Sequence, residues 1–210
     1  MRLLKIESSP RGSKSASIAV ANTFVEAYRQ VCPGLVVDTL NIWEERLPDF
    51  DQEAIGAKYK GVNKEPMNPV ETVVWNKIQE LAVRFQQADR IVVGVPMWNF
   101  AYPYKLKHLI DLVCQRHLLF TYDGNEYGPL LKTPRAFVVY VRGGTYAEGS
   151  PTPASQFDHQ KRYIDFWLRF IGVEEVRTLV VEGTTWAGKV KGEERTERGK
   201  EEARKMAADF

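Results

Sequence analysis

Arg90-Ile91-Val92-Val93-Gly94-Val95-Pro96-Met97-Trp98-Asn99-Phe100 is the stretch that decides the fold. Ile91 to Val95 is a nearly continuous apolar run without polar alternation. That is the pattern of a strand buried on both faces, as in a parallel sheet covered by helices. The run stops at Pro96 and opens into a thioether, an indole, an amide and a phenyl ring. In an open parallel sheet, ligands bind beyond the carboxyl ends of the strands. An edge of this composition suits a flat heteroaromatic ligand with apolar faces and a hydrogen-bonded rim. Packing under a loop is the other reading of Trp98, Phe100, Tyr102 and Tyr104.

On either side, strand and helix patterns alternate. Residues 2–7 read as a first strand, 8–14 as a turn-rich loop and 15–32 as a helix with apolar positions Ile18, Ala21, Phe24, Val25, Tyr28 and Cys32. Pro33-Gly34 ends it. Residues 35–40 form a second strand. Residues 41–68 are predicted to be an excursion with one or two short helices, serving as a lid or a subunit contact. Asn68-Pro69 with Glu71 reads as an N-cap, a first-turn proline and an acid near the helix start. The helix that follows buries Val70, Val74, Ile78, Leu81 and Phe85. After the third strand, at 90–96, come a helix from about 103 to 116 and a hairpin-like insertion at 118–131 around Tyr122-Asp123-Gly124-Asn125. A fourth strand is expected at 136–141, an aromatic-rich helix at 157–171, a fifth strand at 177–181 and a solvated C-terminal helix beyond 190 with one apolar edge. The reading is an α/β, doubly wound, five-stranded parallel sheet of flavodoxin-like order, with helices on both faces. It forms one domain over residues 1–210.

Composition narrows the functional classes. Of the 210 residues, 44% are hydrophobic and 27% charged, with a net charge of +2. The pI near 8.4 reflects a small excess of Lys and Arg without a basic patch, so nucleic acid is not an expected partner. No apolar run reaches the ~20 residues of a membrane span. The N-terminus enters a strand pattern without a signal-peptide core, which predicts the cytoplasm. Cys32 and Cys114 cannot build a disulfide framework and read as small buried thiols. His108, His117 and His159 lack metal-ligand spacing, so no metal site is expected.

Three loops carry candidate chemistry. Ser8, Ser9, Ser13, Ser15 and Ser17 surround Arg11, Gly12 and Lys14 between the first strand and first helix. Helix N-termini and serine hydroxyls suit a phosphate, although capping and loop solvation also explain such serines. Neither a G-x-G-x-x-G fingerprint nor a Walker sequence is present. Met97 to Phe100 form the second loop. Arg142-Gly143-Gly144 form the third, where paired glycines permit close approach of a ligand to the backbone or simply make a turn. All three follow strands that adjoin the switch point of a doubly wound sheet. A mononucleotide with a tricyclic ring, namely FMN, would join them, with its phosphate on the first loop and its ring between the others.

The motifs then become specific. Ser8-Ser9 with Ser15-Ala16-Ser17, Pro96-Met97-Trp98-Asn99-Phe100, Lys105-Leu106-Lys107 with Ile110-Asp111, Arg142-Gly143-Gly144 and Phe170-Ile171-Gly172-Val173 resemble the FMN-dependent NADH-azoreductase/quinone oxidoreductase family of the flavodoxin-like fold. The resemblance spans nearly the whole chain and is most diagnostic at Pro96–Phe100. It implies that Ser9, Ser15, Ala16 and Ser17 bind the phosphate and ribityl end of FMN. Met97, Trp98, Asn99 and Phe100 would contact the isoalloxazine, and Val141, Arg142, Gly143 and Gly144 its other edge. Val141 stands where the family usually has serine, which removes one hydroxyl from the flavin. Tyr122 and Phe170 are the candidates for the substrate side. The resemblance also implies a homodimer and ping-pong transfer of two electrons from NADH or NADPH, through flavin N5, to quinones or azo compounds. No triad or metal is required, with Trp98 and Asn99 tuning the ring. The competing expectations are a flavodoxin-type electron carrier and a protein that has lost its flavin.

Overall fold

The central strands alternate their burial between two separate cores. The structure, a computed structural model, describes residues 1–133 and 135–210. Strands β1 (Arg2–Glu7), β2 (Val36–Asn41), β3 (Arg90–Pro96), β6 (Arg135–Val141) and β7 (Glu175–Val181) form one sheet in the order β2-β1-β3-β6-β7. Every neighbouring pair is parallel. Leu4, Ile6, Ile91, Val93, Val95, Val138 and Tyr140 point into one core, and Leu3, Val92, Phe137, Val139 and Val181 into the other. The two-residue period of a strand delivers successive side chains to opposite faces. A continuous apolar run is therefore needed wherever both faces are covered.

Helices α3 (Pro69–Gln86), α4 (Tyr104–Val113) and α6 (His159–Ile171) cover the first face through Trp75, Phe85, Leu109, Trp167 and Leu168. Helices α1 (Ala16–Val31) and α7 (Lys189–Ala207) cover the second through Phe24, Tyr28 and Ala203, joined by the C-terminal Phe210. This is the expected flavodoxin-like arrangement. Phe24 and Phe137 stack with ring centroids 3.8 Å apart. Gly94 lets α1 approach the sheet, because a Cβ there would lie 2.9 Å from the Ser17 carbonyl oxygen.

Asn68 is the N-cap of α3 with Pro69 in its first turn, as the sequence predicts, and Glu71 completes a capping box by accepting the Asn68 amide. The excursion contains one helix, α2 (Gln52–Asn63), capped by Asp51. The insertion is an antiparallel hairpin of β4 (Phe120–Tyr122) and β5 (Tyr127–Pro129). Four expectations shift. Val70, expected in the buried stripe of α3, is exposed in its first turn, and Trp75 takes part in the buried face instead. The aromatic helix expected at 157–171 is α6 and starts at His159, where the Asp158 carboxylate caps it by accepting the Lys161 amide; a separate short helix, α5 (Ala154–Phe157), precedes it. Helix α4 ends at Val113, short of Arg116, where Cys114 leaves helical geometry. The two cysteines are half-buried at helix C-caps, not fully enclosed as expected; both are free thiols. Among the described residues, no helix is long and apolar enough to cross a membrane, and no group of His, Cys, Asp and Glu is arranged to hold a metal.

Candidate active site

A cavity of about 350 Å³ opens at the carboxyl ends of β1, β3 and β6. Its wall contains Ser9, Ser15, Ala16, Ser17, Met97, Trp98, Asn99, Phe100, Val141, Gly143 and Gly144. The three loops singled out in the sequence thus meet around one space.

At one end lies the start of α1. Ser9, Ser15 and Ser17 are buried, and the Ser15 and Ser17 hydroxyls are 3.1 Å apart. The first intrahelical bond runs from the Ala19 amide to the Ser15 carbonyl. The Ala16 and Ser17 amides therefore precede the helical ladder and are free for an anion. Ser8 instead ties this loop to β3, its hydroxyl donating to the Gly94 carbonyl at 2.7 Å. A phosphate group fits the donors at the helix start.

At the other end, Trp98 and Ala101 exchange both backbone hydrogen bonds at 2.9 Å. Between them Asn99 and Phe100 have φ of 46° and 67°, which is a two-residue type I′ turn. Asn tolerates this region. Phe does not, at a cost of roughly 1–2 kcal/mol. The turn is held from outside: the Phe100 carbonyl accepts the His159 amide at 3.0 Å, and the Val95 carbonyl accepts the Gln160 side-chain amide at 2.9 Å. The Asn99 and Phe100 N–H groups take no part in the turn's own bonds. Across the cavity the Gly143 carbonyl accepts from the Thr185 and Trp186 amides, and the Gly144 carbonyl from Gly183. The Gly143 and Gly144 N–H groups donate to no backbone carbonyl among the described residues, and both glycines line the cavity. Backbone donors on two loops that line one cavity suit the acceptor-rich edge of an isoalloxazine ring.

Arg142 departs from its expected place against the ligand. Its side chain is 3% exposed and does not line the cavity. The guanidinium donates to Gln160 at 3.2 Å and Glu182 at 3.0 Å, and pairs with Asp158. The other Glu182 oxygen accepts the Tyr146 amide at 3.3 Å. One buried cation therefore ties together the start of α6, the glycine loop and the loop after β7. Through Gln160 it also reaches the end of β3.

Tyr122 and Phe170 are likewise absent from the cavity wall of their own chain. Phe170 packs against Phe120 at 5.1 Å and Tyr127 at 5.6 Å, while Tyr122 stacks on Tyr127 at 4.7 Å. The hairpin docks on α6 through these rings, and docking there carries both residues away from the cavity.

Arg11 and Pro96, which the sequence places in the candidate loops without a role, also line the wall, and the sequence reading assigned no place there to Tyr146, Thr184, Thr185 or Trp186. Thr184 to Trp186 follow β7, and the same rule that points to strand ends could have found them. Trp186 is 73% exposed and lies against Gly144, where a Cβ would meet its ring at 2.5 Å. Tyr146 closes the wall beside the glycines. Burial raises its phenol pKa, opposed by the Arg142 charge, so it is a neutral hydrogen-bonding group at physiological pH.

This fold and site define a flavodoxin-like protein, and the chain belongs to that family: the model of the family described as flavodoxin-like fold matches residues 1–207. Within it, the chain is 60% identical to FMN-dependent NADH:quinone oxidoreductase 2 of Burkholderia lata, with all of both chains covered. It is 38% identical to FMN-dependent NADH:quinone oxidoreductase of Nitratidesulfovibrio vulgaris, over 99% of each. In three dimensions it is similar to the azoreductase of Bacillus anthracis, with a TM-score of 0.89, 26% identity and full coverage of both chains.

Proposed function

We propose that this chain is an FMN-dependent oxidoreductase that moves two electrons from NADH or NADPH to quinones and aromatic azo compounds. The observation that carries the reading is one cavity lined together by the turn after Trp98, by Gly143-Gly144 and by a buried serine cluster at a helix start. The names of the relatives support it. When bound, the flavin supplies the hydride-accepting and hydride-donating position, N5.

The protein's part is placement. Ser9, Ser15, Ala16 and Ser17 hold the phosphate and ribityl end. Met97 and Trp98 support one side of the ring, and the amides of Asn99, Phe100, Gly143 and Gly144 hold its polar edge. Trp98 and Asn99 tune the ring. Val141 presents only methyl groups, so the backbone carries this edge alone. Donor and acceptor use the open side in turn, which gives ping-pong kinetics. No metal or nucleophilic side chain enters the scheme.

We also propose a homodimer. Tyr104 and Tyr127 are about two-thirds exposed, in the segments around the cavity and hairpin that a second copy would cover. Sedimentation should give a dimer at micromolar concentration; a monomer would contradict this.

Steady-state oxidation of NADH with a benzoquinone tests the activity. Turnover that depends on FMN is expected, with parallel double-reciprocal lines. FMN bound without NADH turnover would identify an electron carrier instead. A colourless protein that gains no flavin absorbance on adding FMN would overturn the reading. Comparing kcat/KM for NADH, NADPH, quinones and an azo dye would identify the preferred pair.

A further inference from the structure

A separate pocket, of about 460 Å³, shares no wall residue with the candidate active site. Part of its wall is apolar, made by the Trp75 indole, Val62 and Leu118. The indole lies directly on the last turn of α2, since a Cβ at Gly61 would stand 2.2 Å from its ring. The polar part of the wall is Lys64, Arg116, His117 and the Gln79 amide. No Asp or Glu lines it. Lys64, Arg116 and His117 enter no ion pair among the described residues.

Two of these groups stand on strained backbone. Among the described residues, the non-glycine residues with positive φ are Asn99 and Phe100 at the candidate active site, and Lys64 and His117 at this pocket, with φ of 57° and 68°. Lys64 is the left-handed cap that ends α2, a position that favours glycine. His117 turns the chain from α4 toward the hairpin, its amide donating to the Phe120 carbonyl at 2.8 Å. A glycine would make that turn without strain. Cap and turn account for the backbone. Neither accounts for a lysine and a histidine side chain, or for their convergence on one pocket. Strained residues of this kind cluster at ligand sites.

We propose that this pocket binds a small planar aromatic anion, an aryl carboxylate or aryl sulfonate. The ring packs on the Trp75 indole between Val62 and Leu118. The anionic group meets the Lys64 ammonium and the Arg116 guanidinium, with His117 and Gln79 as further donors. Cations without carboxylates repel a cationic ligand and give a neutral one nothing to match their charge. The apolar wall sets the pocket apart from a site for a bare inorganic anion, which has no surface to bury there. The inference stands whether or not the other cavity holds a flavin.

The test is isothermal titration of the full chain, in saturating FMN, with 2-naphthalenesulfonate and with 2-naphthoate. Each ion should bind at a single site per chain with Kd below about 1 mM, and neutral 2-naphthol at least about tenfold more weakly. Arg116→Gln, Lys64→Gly and His117→Gly should each weaken the ions about fivefold or more. The two glycine variants relieve the positive φ, so they keep the fold and should not lower the midpoint of urea unfolding. Weaker binding in them is then loss of the side chain and not of the structure. Unchanged affinity in all three variants would place the ions elsewhere on the protein and overturn the inference. Inorganic sulfate binding as tightly as the aryl sulfonate would show an anion site without an aromatic subsite and overturn it. Absence of saturable binding would also overturn it. If Arg116→Gln dissociates a dimer and the wild type binds neither ion, the pocket belongs to a second copy of the chain and the inference falls.

Discussion

The indole N–H of Trp43 donates to the Ser8 carbonyl at 3.0 Å. The same ring sits 5.9 Å from Trp98 and 5.6 Å from Tyr104, with the Lys105 ammonium 5.2 Å from its centroid. Trp43 lies in the excursion after β2, yet it braces both the phosphate loop and the aromatic loop. Trp43→Phe keeps a ring and deletes the donor, leaving a carbonyl without its partner. A loss of about 1 kcal/mol corresponds to FMN binding roughly fivefold weaker. Fluorescence titration of the variant checks this; unchanged affinity would show that the brace is not coupled to the ligand.

Arg142 gives a larger prediction. Its cation is buried against Asp158 and Glu182, and removing it leaves carboxylates without their counter-charge. Arg142→Ala should cost about 3–5 kcal/mol of unfolding free energy, seen in urea titration. Arg142→Lys keeps the charge but cannot donate to three partners in the plane of a guanidinium. It should fold, with FMN affinity reduced about tenfold through the displaced glycine loop. Wild-type affinity in the lysine variant would show that charge alone sets the loop.

Asn99 separates backbone shape from side-chain chemistry. Asn99→Leu puts a branched side chain at φ 46°, at a cost of roughly 1–2 kcal/mol. Asn99→Gly keeps the turn and deletes only the amide. FMN affinity should fall modestly in the leucine variant and little in the glycine variant. Activity with NADH and a quinone should fall about tenfold or more in both. An unchanged rate in Asn99→Gly would remove the side-chain amide from the mechanism.

Glu71 sets an acid limit on stability. The hydrogen bond from Lys60, followed by that from the Asn68 amide, lowers its pKa below the ordinary 4.5. A carboxylate depressed in the folded state contributes stability that is complete above its unfolded pKa and is lost as pH falls through the folded value. The stability gap between the wild type and Glu71→Gln should therefore be flat above about pH 5.5 and shrink below 4.5. Urea unfolding at a series of pH values checks it. A gap that widens in acid would contradict the sign.

The elements and the strand ends that matter are written in short-range patterns of the chain. The unbroken run Ile91–Val95 required a strand covered on both faces, Asn68-Pro69 with Glu71 encoded a capped helix start, and Tyr122–Asn125 encoded a hairpin turn. These are local signals, set by backbone geometry and two- or 3.6-residue periodicity. Side-chain direction is not local. Arg142 sits in the motif beside the glycines, yet Asp158, Gln160 and Glu182 converge on it from other elements and turn it inward. Tyr122 and Phe170 went to the hairpin's own aromatic cluster for the same reason: ring packing across distant segments decides their place. Only the tertiary structure could bring Trp43 under the site and Trp186 over Gly144, or gather Lys64 and His117 around Trp75. These contacts join residues far apart in the chain, and no short-range pattern records them.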